Sequence, residues 1–198
     1  MPHDTRPKPG LAARARPTHR QHDYWEVSVQ DMSVSGAPAE SLRDALERDH
    51  REVDDAVEGY TNGSASGTRA RLDLERATKE LRRHIYVEEE LLFPPLRQAG
   101  LLGPILVMLR EHGQMWPLLD ALDQGLAAGV EDHVLRTTCR DLSILLQEHN
   151  PKEEQILYPQ VDQVLGADAG ADVREFLDAG QVPEDWMCQY LRPERGGG

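Results

Sequence analysis

Cysteine is scarce in this chain of 198 residues: there are two, Cys139 in a helical segment and Cys188 near the end. So few, so far apart, exclude a disulfide scaffold and a cysteine-based zinc site, and both read as ordinary residues without a redox role. Basic residues are outnumbered, with 22 Lys and Arg against 35 Asp and Glu and a net charge of -13. An acidic body of this kind excludes a nucleic-acid or anionic-membrane surface, which needs clustered Lys and Arg. No apolar run approaches the length of a membrane span, and the opening MPHDTRPKPG lacks the hydrophobic segment of a secretory signal, so a cytoplasmic setting is expected. Also missing are a Ser-His-Asp set, a phosphate loop and a nucleotide fingerprint.

What is present is ordinary globular composition, 39% apolar and 29% charged, enough for one domain and some tail. Residues 1–40 are rich in Pro, Arg, Gly and Ser and read as a mobile arm, with YWEVSV as a short extended segment along the body. Four long stretches of helical periodicity follow. The first runs from an N-cap at Ser41 to about Tyr60, and the second from about Thr68 to Phe93, where Pro94 and Pro95 stop it. The third opens at Gly103-Pro104 and ends near Leu126; the fourth covers roughly Glu131 to Tyr158 and is closed by Pro159. Pro117 and Pro151 fall inside these helices and are expected to curve them around the core. Short links between long helices imply antiparallel neighbours, so the expected fold is all-α, an up-down-up-down four-helix bundle over 41–160. Residues 161–198 add a short helix, ADVREFLDAG, and a tail whose Trp186, Met187 and Tyr190 are expected to pack on the bundle ahead of frayed glycines.

The inward stripes carry unexpected residues. At alternating spacings of three and four, the first helix gives Leu42, Leu46, His50, Val53 and Val57, and the second Leu74, Ala77, Leu81, His84, Glu88 and Leu91. The third gives Ile105, Met108, His112, Trp116, Leu119 and Leu122, and the fourth Leu135, Leu142, Leu145, His149, Glu153 and Ile156. Each stripe holds one histidine, and a rise of about 1.5 Å per residue lets all four share one layer. One histidine on an apolar face is commonly a satisfied core residue. Four at one level, two of them one turn before a glutamate, are different, because a buried carboxylate must neutralise itself or find a cation. The Lys and Arg of these helices lie mostly off the stripes, so a metal resolves the conflict. Residues at i and i+4 share a helix face, so His84 with Glu88 and His149 with Glu153 can each bind one centre. Four imidazoles and two bridging carboxylates suit two metals, iron or manganese before zinc. The spacing from His50 to His112 nearly equals that from His84 to His149, as if one helical hairpin had been used twice. A ferritin-type site needs Glu-x-x-His on two helices, and only Glu47 to His50 fits.

At DHREVDD, HIYVEEELLFP, REHGQM and EHNPKEEQILYP the sequence resembles the hemerythrin family, in its hemerythrin-like branch with the pattern His, His-x-x-x-Glu, His, His-x-x-x-Glu, over residues 41 to 159. The resemblance implies two non-haem iron ions, bridged by an oxo or hydroxo group, with His50 and His84 on one and His112 and His149 on the other. Glu88 and Glu153 would bridge them. Oxygen-carrying members have a fifth histidine where this chain has Trp116, which would line the site instead. Solvent, Tyr24, Glu89 or Glu154 could fill that gap, although both glutamates read first as exposed partners for Arg or Lys.

The implied function is binding of O2 or a related ligand, nitric oxide or peroxide, for sensing, storage or detoxification. A di-iron oxidoreductase turning over peroxide or nitric oxide, with a reductase as partner, is the enzymatic alternative; iron storage or iron-centre repair is the third. The repair reading is weakened by the lack of a cysteine-bearing module in residues 1–40.

Overall fold

The computed structural model describes residues 40–192. The arm expected over 1–40, its YWEVSV segment, Tyr24 and the terminal glycines fall outside them, apart from Glu40.

The described chain is helical, with no strand among the described residues. Helix α1 (Leu42–Thr61) starts where the Ser41 side chain accepts a hydrogen bond from the Asp44 amide at 3.0 Å, which satisfies one of the unpaired donors of the first turn. Helix α2 spans Gly67–Val87, α4 Leu102–Ala128 and α5 Asp132–Lys152. Gly129 ends α4 at φ 66°, a left-handed conformation that glycine adopts without a Cβ penalty. The turn into α5 is pinned by Asp132, which accepts from the Tyr60 hydroxyl at 2.9 Å and from Arg71 Nε at 3.0 Å. Helix α1 packs against α2 and α5, and α4 closes the bundle against the same two.

The two expected helix stops are not stops. Beyond α2 the chain continues through a π turn (Glu88–Leu92) into α3 (Phe93–Gln98), and beyond α5 through a second π turn (Glu153–Leu157) into α6 (Tyr158–Leu165). A proline in an α-helix removes a donor and drives its ring against the carbonyl four residues back. Here the chain widens just before each proline: the Phe93 amide reaches back to the Glu88 carbonyl and the Tyr158 amide to that of Glu153. Pro94, Pro95 and Pro159 then stand in the first turns of the helices that follow, where no helical hydrogen bond is asked of their nitrogens.

Each π turn inserts one residue and rotates the apolar stripe by one position. The regular spacing pointed Leu91 and Ile156 inward. Instead Leu92 is buried and Leu91 half-buried, and Leu157 is 1% exposed while Ile156 is 45% exposed. Leu145 is likewise only partly buried, with Leu146 taking the core position.

Helix α7 (Ala167–Ala179) begins earlier than expected and packs on α1, α2 and α6. In the tail, Trp186 sets its ring edge-on to Trp116 (5.3 Å) and donates to Glu90 at 2.7 Å. Met187 does not pack inward as expected and is 41% exposed. Tyr190 lies against α4, where a Cβ on Gly113 would come within 2.4 Å of its ring; that close approach is what the glycine permits.

Apolar side chains form two clusters. One holds Val53, Leu81, Met115 and Leu146; the other holds Leu46, Val87, Leu109 and Leu157. His50, His84 and His112 each lie on their helix between a member of the first and a member of the second, and His149 lies between Leu146 of the first and Leu157 of the second, in the π turn beyond α5. The polar layer is therefore sealed by oil on both sides.

Candidate metal centre

The layer contains His50 from α1, His84 from the end of α2, His112 from α4, His149 from α5, and Glu88 and Glu153 from the first residues of the two π turns. None is more than 4% exposed. Their polar atoms make two overlapping groups, His50, His84, Glu88 and Glu153 in one and Glu88, His112, His149 and Glu153 in the other, with one ligand atom from each residue of a group within 4.8 Å of the others. Glu88 spans both: Oε1 lies 3.5 Å from His84 Nε2 and Oε2 lies 3.2 Å from His112 Nε2. Glu153 does the same, with Oε2 at 3.5 Å from His50 and 3.2 Å from His149, and Oε1 at 3.9 Å from His112.

Behind the histidines stands a second set of carboxylates that the sequence reading missed or misplaced. Each Nδ1 meets one: His84 meets Asp49 at 2.6 Å, His112 meets Glu89 at 2.9 Å, His149 meets Glu111 at 3.1 Å and His50 meets Glu154 at 3.1 Å. Glu89 and Glu154, expected as exposed partners of Arg or Lys, are instead histidine partners, and the Glu89 side chain is buried. Every brace runs between neighbouring helices, so the four close a ring around the bundle. A carboxylate on Nδ1 holds the proton there and turns the Nε2 lone pair inward, the tautomer a metal ligand needs. A signal was available in the sequence: Asp49 and Glu111 immediately precede His50 and His112, and Glu89 and Glu154 immediately follow Glu88 and Glu153.

Electrostatics follow from this crowding. Burial works against the charge on Glu111, yet hydrogen bonds from His149 and Lys152 outweigh it and hold its carboxyl down at about 2. Burial pulls the His112 imidazole down, but the facing Glu88 carboxylate and the hydrogen bond to Glu89 reverse this and raise it to about 10. The same contest raises His50, His84 and His149 and lowers Glu88 and Glu153.

Tyr158, unremarked in the stripes, reaches into the first group. Its hydroxyl is 2.7 Å from Glu88 Oε1, 3.2 Å from Glu153 Oε2, 2.9 Å from His84 Nε2 and 3.0 Å from His50 Nε2. In the braced tautomer all four are acceptors, and one hydroxyl has one proton to offer. In the second group, Glu88 Oε2, His112 Nε2 and Glu153 Oε1 are buried without a hydrogen-bond partner among the described residues. A surplus of inward acceptors with too few donors is the environment a cation satisfies, so these residues fit a two-metal centre.

The family model of the hemerythrin HHE cation binding domain matches residues 41–161. The chain belongs to that family. No curated protein and no solved structure matches it. In this hemerythrin-family bundle Trp116 is buried against Trp186 and beneath the Arg82 guanidinium, 4.3 Å from the ring centre. The six ligand-capable side chains converge without it. Among the described residues no helix is long and apolar enough to cross a membrane.

Proposed function

We propose that this hemerythrin-family protein holds two non-haem iron ions and binds O2 or a related small ligand, nitric oxide or peroxide. The observation that carries the reading is the pair of ligand groups sharing Glu88 and Glu153. His50 and His84 would hold one ion and His112 and His149 the other, with the glutamates bridging. Iron, when bound, supplies a redox-active Lewis acid for a small oxygen- or nitrogen-containing ligand. The chain positions that centre through the four Nδ1 braces and keeps bulk water away with the two apolar clusters. Its burial also restricts entry to small molecules.

The test begins with iron per chain. Wild type should hold two, and Glu88→Ala and Glu153→Ala should each lose the dinuclear centre; a variant that keeps both ions contradicts bridging. The visible spectrum of the reduced, iron-loaded protein is then followed through oxygen exposure and degassing. A band that comes and goes supports reversible binding. Direct passage to a stable diferric form supports the second reading, an oxidoreductase for peroxide or nitric oxide, which Trp116 in place of a fifth histidine favours by leaving an exchangeable position.

A further inference from the structure

The two halves of the layer are built alike. His50, His84, Glu153 and the braces Asp49 and Glu154 on one side match His112, His149, Glu88 and the braces Glu111 and Glu89 on the other. One pair breaks the symmetry. Tyr158 follows Glu153 at the same interval at which Phe93 follows Glu88, and each is the first residue after its π turn. The Phe93 ring stacks on His112 at 5.8 Å and 8°, and the Tyr158 ring leans on His50 at 5.4 Å. Among the side chains that face the layer, the halves therefore differ by one hydroxyl; behind the histidines, the braces Asp49 and Glu111 differ by a methylene.

That hydroxyl has the position of a ligand. In an octahedral site with bonds of about 2.1 Å, adjacent donor atoms lie about 3 Å apart. The Tyr158 oxygen is 2.7 to 3.2 Å from all four donors of its half, as a fifth donor next to each of them would be. The three atoms of the layer that are buried without a partner, Glu88 Oε2, His112 Nε2 and Glu153 Oε1, lie on the His112 side instead, the two oxygens within 3.9 Å of that nitrogen.

We propose that Tyr158 is a phenolate ligand of the iron held by His50 and His84, and that the small ligand therefore enters the His112/His149 half, beside Phe93. The proposal rests on the iron-binding reading above. Coordination exchanges the phenolic O–H bond for an O–iron bond, and the proton leaves to solvent; no electron is transferred. The first half then has five protein donors, two imidazoles, two carboxylates and the phenolate. The second has four, so its vacant positions are the exchangeable ones.

Iron-loaded, air-oxidised wild type and Tyr158→Phe are compared by iron per chain and by resonance Raman spectroscopy in the visible band. The layer should accept the substitution, since its own symmetry mate is a phenylalanine. Two irons per chain are expected in both proteins at saturating metal, with iron-phenolate ring modes in wild type that vanish in Tyr158→Phe. Azide added to wild type should leave those modes in place. Wild type with two irons and no phenolate modes overturns the proposal and leaves the di-iron reading standing, whether or not the variant folds. Phenolate modes that survive in Tyr158→Phe, or that azide abolishes in wild type, also overturn it. Fewer than two irons in wild type removes both readings together.

Discussion

The carboxylate of Asp49 meets His84 Nδ1 at 2.6 Å across the α1–α2 interface, while the histidine's other nitrogen faces the metal-binding layer. Asp49 is thus one residue from His50 in the chain but acts on a different helix. Asp49→Asn keeps the size and an acceptor oxygen but loses the charge that makes the imidazole a stronger donor to metal. Metal affinity should fall by roughly 10- to 100-fold, as it does when outer carboxylates are removed from other metal sites. Competition against a coloured chelator measures this, with the exposed Asp55→Asn as a control expected to match wild type.

Removing the metal should make stability sensitive to alkaline pH. His112 in the metal-free layer is lowered by burial and raised further by Glu88 and Glu89, to about 10. A raised folded-state pKa contributes stability that is complete below the unfolded value of about 6.5 and is lost as pH rises through about 10. Metal-free protein should therefore show a falling Tm across that window, and metal-loaded protein a flatter one, because the ion replaces the protons. Loading near neutral pH should also release protons, detectable by calorimetry in buffers of different ionisation enthalpy. Zero proton release would show that the imidazoles were already neutral.

The second π turn separates two adjacent apolar residues. Leu157→Ala should cost about 2–5 kcal/mol as a buried truncation, whereas Ile156→Ala should stay within about 0.5 kcal/mol. Urea unfolding midpoints of the two variants decide it. A larger loss at Ile156 than at Leu157 would mean that the helix runs through Glu153 with regular α spacing.

Gly113 is the place where the tail touches α4. A Cβ there would fall 2.9 Å from Tyr190 Cβ and 2.4 Å from its Cδ1, so Gly113→Ala must displace residue 190. The expected loss is roughly 1–3 kcal/mol. Tyr190→Ala in the same chain should recover part of it, and a double-mutant cycle on thermal unfolding tests the coupling. The Gln189 amide donates to Glu89 at 2.5 Å, so the displacement should also weaken the His112 brace and with it metal affinity.

Both thiols should be inert in the native protein. Burial pushes Cys139 up to about 12, and burial together with Glu89 pushes Cys188 up to about 11. Since the thiolate is the reactive species, alkylation followed by mass spectrometry should find both unmodified until the chain is unfolded.

Much of this was legible along the chain. Ser41 as a helix start and the placing of His50, His84, His112 and His149 on inward faces depend on residues within a turn or two of one another. The prolines misled, because a proline after a regular helix and a proline after a π turn look the same in sequence. The error carried forward into Leu91 and Ile156, each one residue from the position that packs.

The sequence by itself determined a four-helix bundle and a layer of four histidines and two glutamates, because helical periodicity and the His-x-x-x-Glu spacing are local properties. Only the tertiary structure decided what surrounds that layer. The His84–Asp49 brace joins residues 35 apart, the His50–Glu154 brace residues 104 apart, and Tyr158 reaches His50 over 108. Such pairings depend on how far each helix is rotated about its axis, and the π turns and the packing of the two apolar clusters fix that rotation. Tyr158 enters the layer and Phe93 lines it for the same reason.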